Sequence, residues 1–231
     1  FSQQMQLHNR GIPCAKLYSH KGEFLIKSDK GELFMLMEFC NGNVIPPGKL
    51  NVHQMFDLGR ATGNMHHLLN NGKQKVKRGP EYNPSSREQR LIHWESAWNH
   101  ANNTGKFNLL SIFEAQYRLT ETINLENFNL SKTGWAHRDL WVDNLLFEEK
   151  NISAILDFDR MKYDYPQLDV ARAVISGALD DNNLDYSLVK AFKEGYSEQH
   201  LLENGSIINA LKMLWFMEST WWIESTMDQH S

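Results

Sequence analysis

Eight consecutive residues, His137-Arg138-Asp139-Leu140-Trp141-Val142-Asp143-Asn144, set a carboxylate and a carboxamide on one short stretch, and Asp157-Phe158-Asp159 follows thirteen residues after the Asn. Phosphoryl transfer needs a carboxylate beside the attacking hydroxyl, and oxygen donors for a metal that bridges the phosphates. Asp139 suits the first role; Asn144 and Asp157 suit the second. An Asp in a chain of this size is usually a cap or a surface group, and an H-x-D triplet alone says nothing. Four specified positions at fixed spacing, with a second motif at the matching distance, say considerably more.

Such a loop must be anchored. Leu145, Leu146 and Phe147 on one side, and Ile152, Ala154, Ile155 and Leu156 on the other, read as apolar strands that would hold it. Short strands are expected near 134–137, 144–147 and 153–157. Upstream, residues 1–10 read as the end of a helix closed by Gly11 and Pro13. Runs at 23–27 and 32–39, separated by Ser28-Asp29-Lys30-Gly31, read as an antiparallel hairpin. Residues 41–49, with Gly42, Pro46 and Pro47, read as a linker. Val52, Met55, Phe56, Leu58, Met65 and Leu68 then recur at helical spacing, with Gly59 and Gly63 leaving room for another element. Further helices are expected over 87–102, 109–125 and from 167 to the end, closing on the aromatic-rich stretch 208–227. Residues 73–84 read as an exposed loop whose Lys73, Lys75, Lys77 and Arg78 form a solvated basic run. The expected fold class is α+β, with residues 1–43 as one lobe ending in a connection and 44–231 as a mostly helical second lobe.

The 231 residues are enough for one substantial domain or two unequal lobes, and 41% hydrophobic with 23% charged residues excludes a disordered or fibrous chain. A formal net charge of −4 argues against a general nucleic-acid binder. No apolar run approaches the roughly 18–20 residues of a membrane-spanning helix. Cys14 and Cys40 lack any metal-ligand spacing, which together with the absence of a leader points to a reducing, cytoplasmic setting. The chain opens on Phe1 rather than Met, as if entered partway through.

The loop and the segment downstream of it resemble the aminoglycoside phosphotransferase and choline/homoserine kinase family, small-molecule kinases with a protein-kinase-like two-lobe fold. That family carries H-G-D-x-x-x-x-N, a strand ending in I-D-F/W, and a D-L-A helix. Leu168-Asp169-Val170-Ala171 matches the helix better than protein kinases do, and no A-P-E motif comes after Asp157. Arg138 departs from the usual Gly, at a position that takes no part in the reaction. Upstream, Gly11-Ile12-Pro13 resembles the entry to the N-lobe sheet, 34–39 the strand into the hinge, and Leu58-Gly59-Arg60 with His66 the helix beyond it.

The resemblance implies transfer of a γ-phosphate from ATP or GTP, with Mg2+, to a hydroxyl of a small molecule. It implies Asp139 as the group facing that hydroxyl, Asn144 and Asp157 on the metal, and the backbone of Glu38, Phe39 and Cys40 at the purine edge. His137, Arg138, Asp159 and Asp169 would support the loop, and His66 would pack or hydrogen-bond. The acceptor, whether aminoglycoside-, choline- or homoserine-like, would meet Trp215, Glu218 and Trp222. No G-x-G-x-x-G, P-loop or V-A-I-K strand occurs, so the chain is expected to lack the phosphate-covering loop and the phosphate-pairing lysine, and to turn over poorly by itself. A non-catalytic pseudokinase or scaffold is the alternative, disfavoured by the intact Asp139, Asn144 and Asp157.

Overall fold

A computed structural model describes residues 1–72, 79–80, 83–129, 132–199, 202–203, 205–224 and 227. The basic run at 73–78 lies outside them. Contacts divide the chain into two compact units, Phe1–Glu81 with Lys132–Ile207, and Tyr82–Ser131 with Ile208–Ser231.

The first unit opens with α1 (Ser2–Asn9), ended by Gly11 in the left-handed region at φ +84°. β1 (Leu17–Tyr18), β2 (Ile26–Lys27), β3 (Leu33–Phe34) and β4 (Leu36–Met37) come next. β2 and β3 form the expected hairpin, with Gly31 at φ +86° and Ser28 bonded across the turn to Glu32. The second run does not stay one strand: it breaks at Met35, and β4 turns to pair antiparallel with β1. Segment 41–49 carries no regular element beyond a bridge from Asn43 to Phe147.

α2 (Val52–Leu69) begins at a capping box in which Asn51 and Gln54 satisfy each other's backbone N–H groups. It is the organising element. Asp57 accepts from the backbone of Ile152 (2.9 Å), Gln54 donates to Glu149 O (2.8 Å), and Asn70 at its end bonds both N and O of Trp135. α2 thus grips the strands on either side of residues 137–144. These are β5 (Gly134–Ala136), β6 (Leu145–Glu148) and β7 (Asn151–Ile155); β8 (Lys162–Asp164) pairs with β5, and β6 pairs with β7. α6 (Gln167–Ala178), β9 (Leu179–Asp180), β10 (Asn183–Leu184) and α7 (Tyr186–Ser197) complete the unit.

Gly59 and Gly63 do leave room for another element, and it is α7. A Cβ on Gly59 would collide with Phe192 O, and one on Gly195 with Phe56 O. Met55, Leu58, Met65, Leu140, Leu145, Ile155, Val174 and Phe192 are all essentially inaccessible to solvent.

The second unit contains α3 (Arg87–Asn103), α4 (Leu110–Thr122), α5 (Glu126–Asn129) and nearly all of α8 (Ser206–Trp222). α3 starts at a second capping box, Ser86 with Gln89. Its core is Trp94, Ala101, Leu109 and Phe113, and the Trp94 indole donates to Thr120 Oγ1 at 3.1 Å. Among the described residues no helix is long and apolar enough to cross a membrane.

Candidate active site

β5 ends at Ala136 and the chain turns through His137, Arg138 and Asp139 before a 3-10 turn, Val142–Asn144, leads into β6. Asp169, on the first turn of α6, fixes the turn's backbone. Its carboxylate accepts from His137 N (2.7 Å) and Arg138 N (2.8 Å), and also from His66 Nε2 (3.1 Å). Asp169 is fully buried. Burial alone would push its carboxyl up, but the hydrogen bond from His66 and the positive charge of Arg172 hold it below the ordinary value. A second tie comes from Ser176 of the same helix, whose hydroxyl accepts from Val142 N (3.1 Å).

His137 is buried. Its Nε2 donates to Leu156 O (2.9 Å) and its Nδ1 accepts from Asp139 N (3.3 Å), an assignment that leaves the ring neutral. Burial pushes its pKa below the usual 6.5. Arg138 sits at φ +70°, and its guanidinium reaches the buried Asp164 of β8 at 2.8 Å. Sequence reasoning assigned Arg138 a supporting task without identifying that partner.

Asp139 is mostly shielded. Asn144 Nδ2 donates to both its backbone O (2.9 Å) and its Oδ2 (3.1 Å), and the exposed Arg160 guanidinium lies 3.8 Å from its Oδ1. Arg160 was not singled out in the sequence, although it directly succeeds Asp157-Phe158-Asp159. Asp157 N-caps the 3-10 turn Phe158–Arg160 from a left-handed backbone (φ +53°), its Oδ1 accepting from Asp159 N at 3.3 Å. Asp157 and Asp159 are exposed. Among the described residues nothing donates to Asn144 Oδ1 or to Asp157 Oδ2, so each side chain keeps a hard oxygen donor unclaimed; the N–H of Leu156, just before Asp157, donates to Asn144 O at 2.9 Å. No cluster of three or more His, Cys, Asp or Glu suited to a metal occurs among those residues. A site that relies on nucleotide phosphates and water for its remaining ligands does not need one.

At the expected hinge, Glu38 N donates to Lys16 O (2.8 Å), extending the β1–β4 ladder by one rung. Phe39 is exposed and Cys40 half-buried. Burial pushes the Cys14 thiol up to about 12, and raises Cys40 too. Of the expected acceptor residues, all in the second unit, Trp215 donates its indole N–H to Gln116 Oε1 (2.6 Å), Glu218 is buried, and Trp222 is partly exposed. In that unit α3 and α4 also enclose a pocket of about 240 Å³, lined among others by Trp94, Trp98, Phe113, Tyr117, Glu95 and Glu114.

A family model described as "Phosphotransferase enzyme family" matches residues 4–202. No curated protein matches the chain. Among solved structures, an aminoglycoside phosphotransferase from Alicyclobacillus acidocaldarius is 14% identical, with 100% of this chain and 72% of that one covered and a TM-score of 0.69. The GDP complex of wild-type aminoglycoside 2'-phosphotransferase-IIIa is 12% identical over 99% and 75% of the two chains, TM-score 0.58. A spectinomycin phosphotransferase in complex with ADP and spectinomycin is 17% identical over 96% and 70%, TM-score 0.51. At these identities the likeness is one of fold, and the α+β, protein-kinase-like fold expected from the sequence is the one observed.

Proposed function

The chain belongs to the phosphotransferase enzyme family, and on that premise we propose that it moves the γ-phosphoryl group of ATP or GTP to a hydroxyl of a small molecule. The observation that carries this reading is a shielded Asp139 oriented by Asn144, together with unclaimed oxygens on Asn144 and on Asp157. The nucleotides in the GDP and ADP complexes of similar structures support a nucleotide donor.

Asn144 Oδ1 and Asp157 would hold Mg2+, which would offset the charge of the nucleotide phosphates. Asn144 fixes one Asp139 oxygen and Arg160 restrains the other, so the carboxylate meets an incoming hydroxyl in one orientation. Asp139 then orients the nucleophile and takes its proton as the phosphoryl group leaves the nucleotide. The backbone of Glu38, Phe39 and Cys40 would line the purine edge, with residues 1–43 as the part-lobe carrying that hinge and 44–231 as the catalytic lobe. The second unit's pocket joins aromatic faces to two carboxylates, a composition suited to an ammonium-bearing acceptor of aminoglycoside or choline type. Trp215, Glu218 and Trp222 would contribute to acceptor binding.

The test is phosphoryl transfer from labelled ATP and GTP, with and without Mg2+, across aminoglycosides, choline, homoserine and simple sugars. Asp139→Asn should lower turnover by roughly 10²–10⁴-fold, the usual contribution of a positioned base, while nucleotide affinity is retained. Activity in that variant above about a tenth of the parent's would remove Asp139 from the role.

A further inference from the structure

The support of Asp139 continues past Asp169 and His66 to Tyr196, which no sequence motif marks. Three glycines bring α2 and α7 together: Gly59 and Gly63 on one helix, Gly195 on the other. A Cβ on Gly63 would stand 2.8 Å from Tyr196 O. At this approach the Tyr196 hydroxyl lies 2.9 Å from His66 Nδ1, and His66 Nε2 lies 3.1 Å from Asp169 Oδ2. Tyr196, His66 and Asp169 are all buried.

An ionised carboxylate can only accept, so the His66 proton that meets Asp169 sits on Nε2. In the neutral ring a proton on Nε2 leaves Nδ1 with a lone pair, and the group that meets it is the Tyr196 O–H. We infer that Tyr196 is a positioning residue of the phosphotransfer site: its hydroxyl donates to His66 Nδ1, which keeps His66 Nε2–H on Asp169, the carboxylate that holds the two amides preceding Asp139.

The line from α7 to the catalytic loop is thus hydroxyl, imidazole, carboxylate, amide. Burial pushes the Tyr196 phenol up, so it stays protonated and able to donate. Its ring stands edge-on to His66, with centroids 5.8 Å apart, so Tyr196→Phe keeps the packing and deletes only the donor. Without that donor, Nδ1 is left desolvated and the proton has reason to move to it. The ring would then turn a lone pair toward Asp169, and the loop amides would lose their fixed acceptor.

The geometry stands independently of the function, whereas the effect on turnover rests on the phosphotransfer reading, so the experiment has two arms. The first is NMR of the protein with 15N-labelled histidine, with hydrogen exchange read at the amides of His137 and Arg138. In the parent, His66 should show Nε2 protonated and Nδ1 as a hydrogen-bonded acceptor. In Tyr196→Phe, and equally in Gly63→Ala, the Nδ1 signal should move and both amides should exchange faster. The second arm is kinetics. Both variants should lower kcat by about 10-fold, the scale for losing an indirect positioning contact, with nucleotide KM within about twofold. Lys190→Ala, on the exposed side of α7, should change neither. A doubly protonated His66 in the parent, from which Tyr196 accepts, overturns the inference, as do unchanged ring signals and exchange in Tyr196→Phe. An altered ring with unaltered kcat also overturns the positioning role. If the parent transfers phosphate to nothing, the functional reading fails, and the first arm still decides the hydrogen-bonded line.

Discussion

Arg138 occupies a backbone region that costs L-residues about 1–2 kcal/mol to enter, and glycine enters freely. Its ion pair with Asp164 compensates for that conformation. Replacing Arg138 by Ala keeps the strain and loses the pair, whereas Gly loses the pair and relieves the strain. Arg138→Gly should therefore be more stable than Arg138→Ala by about 1 kcal/mol in thermal denaturation. At Asp157, Asn tolerates the same left-handed backbone and can still accept from Asp159 N, so Asp157→Asn isolates the charge. Calorimetry should show the gain in nucleotide affinity on adding Mg2+ reduced by roughly 10–100-fold. Two buried groups set a pH response. His137 titrates below 6.5 when folded, so its contribution is present above 6.5 and is lost as pH falls through the depressed folded value. Asp169, also depressed when folded, contributes above its unfolded value near 3.8 and loses that contribution in stronger acid. Melting temperature should fall on acidification in that order, and His137→Asn should flatten the earlier fall. Asp139, Asn144 and Asp157 were legible as candidates because their types recur at fixed spacing within a short stretch. Asp164, Arg160, Arg172 and Tyr196 were not: their partners lie on other elements, and an Arg or Tyr in isolation carries no pattern.

α2, α3 and α4 were legible to within a few residues, and two of them open on capping boxes; the helical stretch expected from 167 onward is instead broken after α6 by the β9–β10 pair. The small sheets were less legible. β8 and the β9–β10 pair span two or three residues each, too short for alternation to show, and β8 finds its partner β5 only across the intervening β6–β7 pair. The split of the 32–39 run at Met35 has the same origin, because pairing with β1 is not written in the run itself. The α2–α7 contact was half visible: Gly59 and Gly63 announced a close neighbour without naming it. It yields a direct test. A methyl group at Gly195 meets the Phe56 carbonyl, so Gly195→Ala should lose about 1–3 kcal/mol in urea denaturation. Gly79→Ala, where a Cβ meets nothing within 4 Å, should be close to neutral.

Across the whole molecule, apolar side chains on β3 and β4 and just beyond them face solvent: Leu33, Phe34, Leu36, Met37 and Phe39, the last 86% exposed. Contiguous exposed apolar surface on short strand edges favours association. Light scattering should show concentration-dependent self-association, reduced when Leu36 and Phe39 are both replaced by Lys; a monomer at all concentrations would show that this surface is inert. Nothing in the sequence signals that 82–131 and 208–231 form one unit, because segments so far apart share no local pattern and are joined only by packing. That discontinuity orders events during synthesis. In the second unit the Arg90 guanidinium lies over the Phe216 ring, 5.2 Å from its centroid, yet Phe216 comes 126 residues after Arg90. At translation rates of about 5–20 residues per second, Arg90 waits roughly 6–25 s on the ribosome for that ring to be made. Through that interval α3 and α4 are without α8, the element that carries Phe216. The nascent chain therefore stays open to chaperone capture until well after residues 137–144 have been translated.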